Sequence, residues 1–454
     1  MGSIRYRVLT SWIRDIASKP SMGRRWPMVD MDDGLVEDYR ELIDLAAEWG
    51  YNGLVAWGLF VGHNWPVELD RCLNDSRSHC IDQIMSHAQK RGLDFYIGLG
   101  TYSWGFEDII KAEPRLRQGE QIKAWGRLMP HNGDVMCFDQ PGARQWMHDI
   151  IDFIVERTGA QAFQLQPFDK GRCMCPICGQ LSDARCFSAL IGDTARYIRS
   201  KWPKAKVGVS GWGMRYDSDD ALTAVGEFAD SVDYICDVTN SCLDMGRDYR
   251  RSFISALPCA FGDSAGGSVT PPQTWERLRW YLPHIRFNGD SIRATADDGG
   301  AAIELFAGPL ANPGTRISLM ALGYVLEHTD TELSYTARLA VEAAYGLRGG
   351  EAQRMADLVL RAEASYFDNC APMHSSDVLF EPLESVYPNR PLYLLGRGRD
   401  ALERYCAQLD DLISEAGAIC VHAVNQALAR DTIAALQNAA MEVRQVLAGA
   451  WDWQ

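Results

Sequence analysis

The chain has 454 residues, 47% of them hydrophobic and 23% charged, with a net charge of −15. That apolar share belongs to a folded globular protein, and the acidic balance excludes the basic surface that nucleic-acid phosphates require. No run approaches the roughly 18 apolar residues of a membrane-spanning helix. The start, Met1-Gly2-Ser3-Ile4-Arg5-Tyr6, has no basic region ahead of an apolar core, so no signal peptide is expected. Thirteen cysteines, most of them single in apolar runs (Cys137, Cys236, Cys259, Cys406, Cys420), suit buried free thiols in a reducing, cytoplasmic compartment.

From residue 5 to about 313, short β-rich apolar runs alternate with amphipathic helical stretches. The predicted strands are Tyr6–Ser11, Gly53–Leu59, Phe95–Leu99, Ala162–Gln166, Lys206–Ser210, Val232–Asp237, Cys259–Gly262 and Ile303–Phe306. Between them fall predicted helices at Leu35–Trp49 (capped by Asp32 or Asp33), Ser78–Arg91, Gly142–Arg157, Ser182–Lys201 and Thr274–Phe287. Eight strands with intervening helices close most simply as an α/β (β/α)8 TIM barrel, because no GxGxxG turn opens a doubly wound sheet. Residues 1–325 are therefore expected to form the barrel. Residues 326–454 read as a helical C-terminal domain, with an irregular connector at 367–396 and a surface suited to a homodimer.

Barrel chemistry sits in the loops after the strands, so strand-end residues matter most. These are Trp12 after the first strand, Trp57 and His63 after the second, and Trp104 after the third. The fourth strand leads through Gln164-Leu165-Gln166-Pro167-Phe168 to Asp169, Lys170 and Arg172; the fifth gives Trp212 and Arg215. The sixth gives Asp237 and Asn240, the seventh Asp263, and the eighth Glu304. Aromatics recurring at one end suit stacking on the C–H faces of sugar rings, since the inner layers of barrels favour branched aliphatics instead. Glycosidic cleavage uses one carboxyl as acid and another as base or nucleophile. Asp169, on a Pro-containing turn, is the first candidate acid, with Asp237, Asp263 and Glu304 as candidate partners. His63 and His131 could ligate a metal, but no HxH or HExxH spacing supports catalytic metal chemistry, so no catalytic cofactor is expected.

Cys173-Met-Cys175-Pro-Ile-Cys178-Gly follows at once, with Cys186 beyond it. The Cys-Pro-x-Cys-Gly turn has the spacing of a metal knuckle, and Cys173, Cys175, Cys178 and Cys186 would make a closed structural zinc site. A thiol-rich loop, or a disulfide between Cys173 and Cys178, is the competing reading.

With these residues in view, the region from about 135 to 325 resembles glycosidase-type barrels. Among them are uncharacterised bacterial domains with a CxCxxC loop after strand four and the endo-β-N-acetylglucosaminidases of glycoside hydrolase family 163. More distantly, it is similar to family 67 α-glucuronidases and family 20 hexosaminidases. The resemblance rests on Phe138-Asp139 before a helix, the acid-bearing loop, the CxCxxC run, Lys201-Trp202-Pro203 and Ala311-Asn312-Pro313. Family 20 enzymes present an Asp-Glu pair where this chain has Phe168-Asp169-Lys170. The α-glucuronidase likeness implies acids at Asp169, Asp237 and Asp263, with Lys170, Arg172 and Arg215 able to meet a uronate carboxylate. The expected function is a glycoside hydrolase acting on a terminal sugar or small glycoside. An isomerase or lyase on the same barrel, or a noncatalytic sugar-binding barrel, is the alternative.

Overall fold

The computed structural model describes residues 4–16, 31–61, 64–103, 105–117, 121–122, 135–167, 171–211, 214, 216, 218–237, 247–265, 280–370 and 398–449. Strands β1 (Tyr6–Trp12), β2 (Gly53–Trp57) and β3 (Asp94–Gly100) open the chain. After them come β4 (Gln121–Ile122), β5 (Ala162–Gln166), β6 (Arg172–Cys173), β7 (Lys206–Ser210), β8 (Tyr234–Asp237), β9 (Ala260–Ala265) and β10 (Ala302–Phe306). The helices are α1 (Ile13–Ile16), α2 (Asp33–Glu48), α3 (Asp75–Lys90), α4 (Glu107–Ala112), α5 (Pro141–Thr158), α6 (Asp183–Lys201) and α7 (Asp219–Gly226). They continue with α8 (Arg247–Ala256), α9 (Ile285–Asp297), α10 (Pro313–Glu327), α11 (Leu333–Tyr345), α12 (Gly349–Asn369), α13 (Arg399–Cys420) and α14 (Gln426–Leu447).

Strands β1, β2, β3, β5, β7, β8, β9 and β10 close in that order into a barrel, and the strand pairs whose register is described within it are parallel. With its surrounding helices and the C-terminal helical region, this is the predicted (β/α)8 architecture. All eight predicted strands are present, with ends shifted by up to three residues. The short β4 and β6 pair antiparallel outside the barrel. The chain divides into two compact units: 1–47, 51–265 and 294–305 form the first, and 48–50, 266–293 and 306–454 the second.

Local sequence explains the elements. Helix α2 buries Leu35, Val36, Tyr39, Leu42, Ile43 and Ala46 at helical spacing, and the Leu35 N–H donates to Asp32 Oδ1 at 2.9 Å. Of the two expected caps, Asp32 is the one used. Pro141 opens α5 and Pro313 opens α10, where a missing N–H costs nothing.

One helix begins later than expected. Residues 280–284 of the predicted Thr274–Phe287 helix are not helical, 274–279 lie outside the described residues, and α9 starts at Ile285. Pro283 explains the shift, because proline inside a helix removes a donor and clashes with the preceding turn. Within the second unit, buried Glu363 of α12 accepts the N–H groups of Ile285, Arg286 and Phe287 at 2.9, 3.0 and 2.9 Å. It thus supplies the cap that the sequence lacks locally. Burial still dominates its titration, raising its pKa to about 7.

The barrel axis is filled by Val8, Val55, Trp57, Tyr96, Ala162, Tyr234, Cys236, Ala260 and Ala302, with Tyr6 and Trp12 packed against them. Bulky residues fit only because their neighbours are glycines. A Cβ on Gly98 would lie 2.4 Å from the Trp57 ring, and one on Gly208 would lie 2.0 Å from Gln164 Oε1 and 2.4 Å from Tyr234 Cζ. Overpacking a filled core costs about 1–3 kcal/mol or more. Gly208→Ala should therefore lower stability by about 3 kcal/mol in urea unfolding. Gly226→Ala, whose Cβ meets nothing within 4 Å, should stay within about 0.5 kcal/mol of the parent. Equal midpoints for the two variants would contradict this packing account.

Candidate active site at the carboxyl ends of the barrel strands

Parallel strands bring all their carboxyl ends to one rim. There Trp12 and Trp57 are register partners closing β1 and β2, with ring centroids 5.9 Å apart. Trp57 is buried, and its indole Nε1 donates to Thr10 Oγ1 at 3.0 Å, whereas Trp12 is partly exposed. A fixed indole therefore backs an accessible one. Gln166 ends β5, also partly exposed.

One layer deeper, three strands meet in a buried polar network. Gln164 Nε2 donates to Glu304 Oε1, and the Tyr234 hydroxyl donates to Gln164 Oε1 at 2.8 Å. Gln164 is thereby held from both ends, by β8 and by β10. Glu304 is 2% exposed, and desolvation raises its pKa to about 8, although hydrogen bonds from Tyr234 and Gln164 pull the other way. Burial thus favours its neutral form. Below it the rings of Tyr6, Tyr96 and Tyr234 pack at 4.9 and 5.8 Å and plug the amino end.

Strand alternation separates the two described acids. Glu304 shares the inward parity of Ala302, and Ser264 is its register partner on β9. The Ser264 hydroxyl is buried with no hydrogen-bond partner among the described residues. Asp263 has the opposite parity, that of Phe261, which packs on Phe253 and Tyr216 at 5.3 Å. Its Oδ1 accepts the Ser264 N–H at 2.8 Å. Asp237 closes β8 as the register partner of Asp263. Thus β8 ends in an acid, whereas β9 runs past its expected end at Gly262 to Ala265 and takes Asp263 into the strand, and Glu304 faces the axis.

Of the other expected site residues, Asp169, Lys170, His63, Trp104, His131, Trp212, Arg215 and Asn240 lie outside the described residues. Arg172 was expected to meet substrate, but it is buried and engaged. Its Nε donates to Asp183 at 2.6 Å, Nη1 to the Cys178 carbonyl at 2.9 Å and Nη2 to the Leu181 carbonyl at 3.1 Å. The guanidinium holds its own loop instead.

The cysteine expectation needs one correction. Four buried cysteines gather with all ligand atoms within 4.8 Å, and they are Cys137, Cys173, Cys175 and Cys178. Cys186 is not among them. It sits on the first turn of α6, its N–H bonded to the Ser182 carbonyl, and burial raises its thiol to about 12 beside Arg172. Cys137 takes the fourth place because its segment folds back before α5, its N–H donating to the Leu116 carbonyl at 2.8 Å. The sequence marks Cys137 as one more buried thiol; nothing in its spacing from Cys173 reveals the contact.

No family model and no curated protein matches the chain. Solved structures do share its fold. One is a GH138 enzyme targeting pectin rhamnogalacturonan II, similar over 100% of this chain and 74% of its own at 9% identity, TM-score 0.59. A mutant of the Thermobaculum terrenum O-GlcNAc hydrolase is similar over 98% of this chain and 84% of its own at 9% identity, TM-score 0.50. CpGH84B is similar over 98% of this chain and 68% of its own, again at 9% identity and TM-score 0.50. At such identity the likeness establishes the fold.

Because the folded pKa of Glu304 lies above its unfolded value of 4.5, its protonated form favours the native state fully below about pH 4.5. That contribution is lost as pH rises toward 8, on the order of 4 kcal/mol across the window. Glu304→Gln should remove most of this slope in denaturant melts run from about pH 4.5 to 8.5. An unchanged slope would assign the pH dependence to other groups.

Proposed function

We propose that the chain is a glycoside hydrolase acting on a terminal sugar or small glycoside at the carboxyl-end rim of its barrel. The observation carrying this reading is the partly exposed Trp12 indole, backed by the anchored Trp57, on the carboxyl-end rim where β8 ends in Asp237. A flat apolar face beside carboxylates suits a pyranose ring, whose C–H face stacks while its glycosidic oxygen meets an acid. The fold shared with glycoside hydrolases supports the same substrate class.

In this proposal Asp169, on the loop after β5, protonates the leaving oxygen. Of the two candidate partners Asp237 and Asp263, Asp237 at the end of β8 is favoured as base or nucleophile, because Asp263 is buried within β9. Glu304 is engaged by Gln164 across the barrel and acts as a positioning residue, its neutral form favoured by burial. The engaged Arg172 weakens the uronate reading drawn from the α-glucuronidase resemblance.

Asp169→Asn should reduce turnover of a responsive 4-nitrophenyl glycoside by about 100-fold or more while leaving sugar affinity within a few-fold. Trp12→Ala should instead raise KM with a smaller effect on kcat. Full turnover in Asp169→Asn would sink the acid assignment. Equal loss of affinity in both variants would favour a site built only for binding.

A further inference from the structure

We infer that Cys137, Cys173, Cys175 and Cys178 form a closed tetrathiolate zinc site that joins the segment before α5 to the loop after β5. The geometry carries it. Four sulfurs each about 2.3 Å from one ion at tetrahedral angles lie about 3.8 Å apart. The sulfur of Cys137 lies 3.7 Å from that of Cys175 and 3.7 Å from that of Cys178, and all four ligand atoms fall within 4.8 Å of one another. All four side chains are at most 3% exposed, and no disulfide joins them.

The surroundings suit thiolates rather than packed thiols. The Cys175 N–H points to Cys173 Sγ and the Cys178 N–H to Cys175 Sγ, both at 3.4 Å. Such amide donors stabilise sulfur charge and set the turn of a metal knuckle. The Gly179 N–H closes that turn on the Cys175 carbonyl at 2.7 Å, and Arg172 brings a positive charge to the Cys178 carbonyl. Loading is a simple exchange: four thiols bind one zinc ion, form four Zn–S bonds and release four protons, with no change of oxidation state. Four protein ligands leave no open position, so the ion is structural.

The site links two excursions of the chain. Cys137 belongs to the connection between β3 and β5, and the other three follow β5, just after the strand-end residues that the preceding proposal assigns to catalysis. Among the described residues, the antiparallel β4–β6 pair also joins these excursions, but through two register pairs alone. The inference itself does not depend on the sugar chemistry.

The test is metal analysis of the full-length protein purified without chelator. One zinc per chain is expected, with most of it lost in Cys137→Ser and Cys175→Ser and retained in Cys186→Ser. Should the first two variants fold poorly, cobalt loading of the parent gives an independent readout. Tetrahedral thiolate cobalt shows strong visible d–d bands and a near-ultraviolet charge-transfer band. Parent protein that is metal-free and fully stable, with all four thiols reacting freely with Ellman's reagent, would overturn the assignment. So would zinc lost from Cys186→Ser but kept in Cys137→Ser.

Discussion

Closing eight parallel strands into a ring forces every inward side chain to share one axis, and the rest of this protein follows from how that axis is filled. A closed barrel has no free sheet edge, and its interior must be packed by side chains. Here the usual branched aliphatics are partly replaced by Tyr96, Tyr234, Trp57, Gln164 and Glu304, a bulkier and more polar set. Glycines at 98 and 208 make the room for it. The axis therefore grades from packed tyrosines at the amino end, through a buried hydrogen-bonded layer, to an indole platform at the carboxyl end.

That gradation links packing to chemistry. Gln164 uses both ends of its amide on partners from other strands, so the strand leading to the Asp169 loop is pinned from inside. On the loop side, the four-cysteine cluster and Arg172 tie down the residues that follow. Within that network Glu304 accepts from Gln164, which in turn accepts from Tyr234, so three strands are tied together. The two devices flank the proposed catalytic loop in sequence, one immediately before it and one immediately after.

The barrel was legible in the sequence because parallel strands, covered on both faces, read as short continuous apolar runs. All eight appear where those runs lie. The late start of α9 was hidden, since its cap, Glu363, comes from 78 residues away from Ile285. The site was legible only in part. Trp12, Trp57 and Asp237 follow from strand ends alone, whereas β9 runs on to Ala265 and takes Asp263 into the strand. The opposite parity of Asp263 and Glu304 required the strand register, and Cys137 required a contact 38 residues in separation from Cys175. Arg172 illustrates the reverse error: a cation near a catalytic loop looks like a substrate ligand until its hydrogen bonds are counted.

The central claim is that water is added across a glycosidic bond at this rim. Mass spectrometry of the product formed from a turned-over 4-nitrophenyl glycoside in 18O-enriched water tests it directly. The account predicts one solvent oxygen on the anomeric carbon of the released sugar. A rearranged or eliminated product that carries no solvent oxygen would contradict it and point to isomerase or lyase chemistry on the same barrel.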